Sequence, residues 1–173
     1  MFIRIIYILT LLPLLLTPIF SAGIDVNAKL IPRIILQSSL NKENQTINIS
    51  IAYRPKSIYR AVRLKKLIAN QIKGRVIKTS LLDVSKENYS LDNIQALYLS
   101  DLDKRDLENI INKAQKEGVI TFSKNIEQFK KGAIFFIESK RKINIYLNTK
   151  FSNDANIGFH PSLLKYVKNY DEK

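Results

Sequence analysis

The side chains best suited to chemistry are few in this 173-residue chain. His160 is its only histidine and cysteine is absent, so multi-histidine metal centres, thiolate metal sites and thiol redox chemistry are excluded from the start. A serine–histidine–aspartate arrangement would rest on the single ring of His160, which stands directly before Pro161. That setting reads better as a loop residue ahead of the first-turn proline of a short helix. Five glycines occur, at 23, 74, 118, 132 and 158, and none has the spacing that wraps backbone N–H groups around a phosphate. Asp101, Asp103 and Asp106 resemble an acidic metal loop only superficially: Leu102, Lys104 and Arg105 intervene, and a helix cap accounts for the acids. The expectation is therefore no catalytic residue, no metal ligand and no cofactor.

What remains is a set of polar and cationic groups at predicted strand ends, namely Arg54, Lys56 and Ser57, then Ser100, then Lys124 and Asn125. Each set adjoins the start of a predicted helix, where free backbone N–H groups favour an anion. Capping alone would also explain them, since every strand-to-helix loop needs such residues.

The elements that must hold these loops are legible from hydrophobic periodicity. A helix is read over Val26–Leu40, with Leu30, Ile34, Ile35 and Leu36 on one side and Pro32 acceptable only near its first turn. Ile47, Ile49 and Ile51 alternate with Asn48, Ser50 and Ala52, a strand pattern that ends at Tyr53-Arg54-Pro55. Ile58, Ala61, Val62, Ile68 and Ile72 then return at helical spacing up to Gly74, and Arg75–Leu82 is a second strand. Ile94–Leu99 is a buried strand. Leu107, Ile110, Ile111 and Ala114 form one helix face that ends near Gly118. Val119–Phe122 is the next strand, followed by a short helical turn within Ser123–Lys131 carrying Ile126 and Phe129.

Strand, helix, strand order repeated twice predicts parallel crossovers. The last third differs. Ala133–Ile137 and Ile143–Leu147 are separated by only five residues, too few for a crossover, so they form an antiparallel hairpin. Two short helices, around Phe151–Asn156 and Pro161–Lys168, close the chain. The expected architecture is α/β, a three-layer α/β/α sandwich with a mostly parallel sheet and a C-terminal antiparallel hairpin.

Residues 1–23 read as a leader outside that domain, with residues 24–173 forming a single α/β unit. Arg4 precedes an apolar run from Ile5 to Phe20, broken only by threonines and prolines and followed by Ser21-Ala22-Gly23. A membrane span needs about 20 apolar residues, and Pro13 and Pro18 weaken a permanent helix, so cleavage is favoured over an uncleaved anchor. A cut before Ile24 has small residues at Ser21 and Gly23; a cut after Ala22 would leave bulky Phe20 three residues back. Export to the periplasm follows from this reading. It disfavours nucleic acid as the reason for a net charge of +13, as does the scatter of the basic residues, whose longest block is Lys140-Arg141-Lys142. A solvated basic surface, or contact with an anionic membrane surface or an acidic protein face, is what the charge leaves.

From Gly118 the chain runs Gly118-Val119-Ile120-Thr121-Phe122-Ser123, Phe129, Gly132-Ala133-Ile134-Phe135-Phe136, Lys142-Ile143-Asn144-Ile145-Tyr146-Leu147-Asn148, Ala155, Gly158 and Leu163-Leu164. This order resembles the YfiR/HmsC-like family of exported regulators, with specificity concentrated in the last fifty or so residues. The resemblance implies a periplasmic α/β domain that binds the extracytoplasmic domain of an inner-membrane signalling protein, typically a diguanylate cyclase, and holds it inactive until a signal arrives. Members of that kind often carry redox-active cysteines and a Trp-Pro pair after the first helix. This chain has neither cysteine nor tryptophan, which removes redox control. Capture of a small anion at the strand-end loops is the alternative function.

Overall fold

In a computed structural model the residues described are 22–41, 46–86 and 88–170. The segment read as a leader lies outside them, apart from Ala22 and Gly23, which open the first helix. Eight strands form one sheet: β1 (Ile47–Tyr53), β2 (Gln71–Ile72), β3 (Arg75–Asp83), β4 (Ala96–Leu99), β5 (Ile120–Ser123), β6 (Phe135–Ser139), β7 (Ile143–Leu147) and β8 (Val167–Asn169). Their order across the sheet is β2-β3-β1-β4-β5-β6-β7-β8. β3, β1, β4, β5 and β6 run parallel. β2 is antiparallel to β3, β7 is antiparallel to β6, and β8 runs parallel to β7.

The period-2 pattern decides which faces these strands bury. Ile47, Ile49 and Ile51 point into one apolar cluster together with Ala28, Ile31, Ile34 and Ile35 of α1 (Ala22–Ile35) and Ala61 and Leu64 of α2 (Ile58–Leu67). Ala52 on β1 and Leu97 and Leu99 on β4 point the other way, against Leu107, Ile110, Ile111 and Ala114 of α3 (Lys104–Lys116). α4 (Ile126–Lys130) adds Phe129 to that second side, where its ring meets Phe136, Tyr146 and Tyr170. β4 and β5, covered on both faces, are buried at every position and read as continuous apolar runs. Two further helices, α5 (Thr149–Asp154) and α6 (Pro161–Leu164), follow the hairpin. The three-layer α/β/α sandwich is as expected.

Three elements differ from the sequence reading. α1 runs from Ala22 to Ile35 rather than over Val26–Leu40, so Pro32 falls in its last turn rather than its first. The backbone bond that Pro32 cannot donate is outweighed by the apolar face that the helix buries, in which Ile31 rather than Leu30 is central. α2 ends at Leu67, and Gln71–Ile72 fold back on Arg75–Val76 as a hairpin whose turn, Lys73-Gly74, has φ of 47° and 75°. Ile68 and Ile72 sit at helical spacing from Ile58, which hid the break. At the C-terminus the helix expected over Pro161–Lys168 stops at Leu164, and Val167–Asn169 becomes an edge strand against Ile145–Leu147.

The chain leaves β1 through α2 to reach β3 on one side, then returns to β4 on the other. The carboxyl ends of β1 and β4 therefore flank the point where the strand order reverses, the place where open α/β sheets form a crevice.

Candidate functional site

Arg54 follows β1 directly, and the 3-10 turn Pro55–Ser57 carries the chain into α2. Ser57 is buried and locks this turn, its Oγ donating to the Arg54 carbonyl at 3.0 Å and accepting from the Arg54 N–H at 3.3 Å. Lys56 projects into solvent. Across the crevice, the N–H of buried Ser100 donates to the Ala52 carbonyl at 3.0 Å, and its own carbonyl accepts from Gln128 Nε2 at 2.7 Å. Gln128 Oε1 in turn accepts from the Lys124 N–H at 2.9 Å, while Asn125 caps α4 by accepting from the Gln128 N–H at 2.9 Å. Buried Gln128 thus fastens the loop after β4 to the loop after β5, a role the sequence reading missed.

The structure brings Arg54 and Lys124 from two of the loops, with Arg60 of α2, together with the three aspartates that sequence treated as one cap. Arg54 Nη1 bonds Asp103 Oδ2, and its Nε lies 3.0 Å from Asp106 Oδ2, an ion pair by distance without the alignment of a hydrogen bond. Asp103 also caps α3, its Oδ1 accepting from the Asp106 N–H at 3.0 Å. Asp101 has a separate job. It accepts from Arg60 of α2 at 2.5 Å and from Lys124 Nζ, joining the first helical layer to the β5 loop. Arg60 and Tyr59 were not foreseen as site residues.

The electrostatics follow from these contacts. Partial burial, the largest single influence on Asp101, pushes its carboxyl up; the hydrogen bonds and charges of Lys124 and Arg60 together outweigh this and hold it below the usual range. Asp103 is held low first by the Asp106 N–H, against a smaller desolvation effect, and then by Arg54. Tyr98 beneath the crevice has its phenol pushed far up by burial, so it stays neutral.

A cavity of about 470 Å³ opens here, lined by Lys56, Ser57, Tyr59, Arg60 and Asp101. Its charges are largely committed to one another, since Arg54, Arg60 and Lys124 face Asp101, Asp103 and Asp106. A second, shallower groove of about 690 Å³ lies at the end of α1, between Gln37–Asn41 and Gly158–Ser162. His160 sits there as the N-cap of α6, its Nδ1 accepting from the Ser162 N–H at 3.2 Å; Ser162 Oγ lies 2.8 Å from that nitrogen and 2.7 Å from Gln37 Oε1. Among the described residues no three His, Asp or Glu side chains cluster as a metal site, and no helix is long and apolar enough to cross a membrane.

Two solved structures share the fold. One is an ABC domain in complex with L-Trp from Streptococcus pneumonia, 11% identical with a TM-score of 0.59, the match covering 85% of this chain and 60% of that one. The other is a conserved domain protein from Vibrio cholerae, 13% identical with a TM-score of 0.62, the match covering 87% of this chain and 60% of that one. The chain thus spans about 60% of the length of each, and at these identities the likeness concerns the fold alone. No curated protein matches the sequence. The family model for YfiR/HmsC-like proteins matches residues 26–168, from the fourth residue after Ala22 in α1 to the middle of β8, and the chain belongs to that family.

Proposed function

We propose that this protein is a periplasmic, non-catalytic regulator that binds the extracytoplasmic domain of an inner-membrane signalling protein, a diguanylate cyclase or a sensor kinase, and shifts it between active and inactive states. The observation that carries the reading is membership of the YfiR/HmsC-like family over nearly the whole described chain. Such control needs only differential affinity for the two states of the partner. A hundredfold preference, about 2.8 kcal/mol, moves the partner's equilibrium by the same factor. Deleting the gene is expected to change cellular cyclic-di-GMP, or the output of one sensor kinase, by several fold. Unchanged levels of both would overturn the reading.

A second reading, capture of a small anion by the strand-end residues Arg54, Lys56, Ser57, Ser100, Lys124 and Asn125, is favoured by the cavity at the strand-order reversal, which Lys56 and Ser57 line. Because Arg54 and Lys124 already hold carboxylates, an anion would have to replace Asp101 or Asp103 as their partner or rely on Lys56. Purified protein should then gain thermal stability with a carboxylate or phosphate ligand and lose that gain in Lys124→Ala. A panel of such anions with no shift removes this alternative.

A further inference from the structure

Between Glu43 and Asp83 the chain contains no acidic residue and nine Lys or Arg, which is nine of its net thirteen positive charges. Among the described residues, four of the seven exposed large apolar side chains, Ile58, Tyr59, Leu67 and Val76, fall in this same stretch. The fold sets three of these nine, Arg63, Lys65 and Lys66, along one helix of an outer layer. Buried Ala61 and Leu64 fix the inward side of α2, and helical spacing then turns exposed Tyr59 and Lys66 outward, with half-buried Arg63 and exposed Lys65 on their flanks. α1 packs beside α2 on the same sheet face and presents Lys29 and Arg33, one turn apart, away from its buried Ala28 and Ile31. Lys29, Arg33, Arg63, Lys65 and Lys66 make no ion pair with any described residue, unlike the cations of the crevice. Tyr59 is 78% exposed in their midst.

We propose that this α1/α2 face docks on an anionic lipid surface. The charges are spread over two adjacent helices rather than converging on a pocket, which suits a plane of phosphate headgroups and not one bound carboxylate. Three of the five are lysines, point charges on flexible stems that need no fixed geometry in their partner. Exposed Ile58, Tyr59 and Leu67 lie on the same helix as three of them, and a tyrosine with an apolar ring and a polar tip belongs at headgroup depth. The proposal is independent of which signalling partner the protein controls; it would place the domain against the membrane in which such a partner sits.

The test uses the full chain with phosphatidylcholine vesicles, with and without phosphatidylglycerol, in co-sedimentation at low and high salt. The apolar segment at residues 5–20 would enter both kinds of vesicle, so the readout is the difference between them. Wild type should prefer phosphatidylglycerol vesicles, and the preference should collapse in high salt. Reversing Lys65 and Lys66 to Glu should weaken that preference by about tenfold or more, and Tyr59→Ser by about threefold. Lys104→Glu with Arg105→Glu on α3, an identical change in net charge outside the face, should alter it by less than about twofold. Equal losses from the two reversals would show that net charge alone acts, and absence of any phosphatidylglycerol preference would show no lipid surface is bound; either overturns the proposal. A preference that survives the Lys65 and Lys66 reversal also overturns it, and would direct attention to an acidic protein segment instead.

Discussion

The two helical layers of the sandwich are built by different means. In the α3/α4 layer each helix starts on a side-chain cap, Asp103 for α3 and Asn125 for α4, and buried Gln128 ties the two loops together. Acidic and basic residues interleave along both helices, as in the Lys131 and Glu108 pair at the end of this layer. In the α1/α2 layer, α2 begins without a side-chain cap bond, its first turn fixed instead by the Arg54–Ser57 turn, and its outer charges are all positive. That layer is held by apolar burial. The contrast teaches that local polar chemistry can position one layer for a site, while the other, secured from beneath, keeps its outer surface available for a different purpose.

Removing the burial that secures the first layer should have the largest effect. Phe122 is fully buried on the sheet face that α1 and α2 cover and stacks on Phe135 with ring centroids 5.3 Å apart. Phe122→Ala should lower unfolding free energy by about 3–5 kcal/mol, measured by urea denaturation. A loss under about 1 kcal/mol would mean that the first layer is not held as described.

Next in size is a change where the second layer meets the hairpin. Gly132 has φ of 121°, and a Cβ there would lie 3.0 Å from the Phe151 ring and 3.1 Å from Ile111 Cγ2 of α3. Gly132→Ala should therefore destabilise by about 1–3 kcal/mol through backbone strain and overpacking. The same substitution at exposed Gly158, where φ is not positive and nothing but Ser39 is near, should cost less than about 0.5 kcal/mol.

The capping contrast itself is tested by Asn125→Ala, which leaves the Gln128 N–H without its acceptor and should cost about 1 kcal/mol. Asn125→Asp should restore most of it, because the carboxylate is an equally good cap. Failure of the aspartate to rescue would mean that Asn125 acts through some contact other than the cap.

Sequence made the layers legible where burial is periodic. β1 and β7 have the expected limits, and Leu107, Ile110, Ile111 and Ala114 are all buried on one face of α3. It failed where two periods coincide, as at Ile68 and Ile72, and where an element is too short to have a period, as at β8, which is defined only by its pairing with β7. The site was half legible. Lys56 and Ser57 line the cavity, whereas Arg54, Ser100, Lys124 and Asn125 follow their strands as read but are not among its lining residues. Their partners were hidden, because Arg54 meets Asp103 across 49 residues and Lys124 meets Asp101 across 23. The cationic face escaped notice for another reason: its residues come from two helices, Lys29 and Arg33 from α1 and Arg63, Lys65 and Lys66 from α2, which only folding places side by side.

Asp101 is where the two layers communicate, and it gives the smallest and most specific effect. Its partners are Arg60 from α2 and Lys124 from the loop before α4, so one carboxylate bridges both sides of the sheet at its carboxyl end. The folded-state pKa lies below the unfolded value of about 3.9, so the charged form favours the folded chain. The stabilisation is therefore complete above the unfolded value and is lost as pH falls through the lower, folded one. Stability of the wild type relative to Asp101→Asn should be constant through neutral pH and should shrink below about pH 4. Asp83, Asp103 and Glu138, which are also held low, titrate alike in both proteins and drop out of the difference. Urea midpoints of the two proteins measured from pH 7 to about pH 3 provide the check. Partly exposed ion pairs are screened, so the gap at neutral pH should be modest and should narrow further in high salt. A gap independent of both pH and salt would mean that Asp101 acts through packing, and that the two layers are joined by the sheet alone.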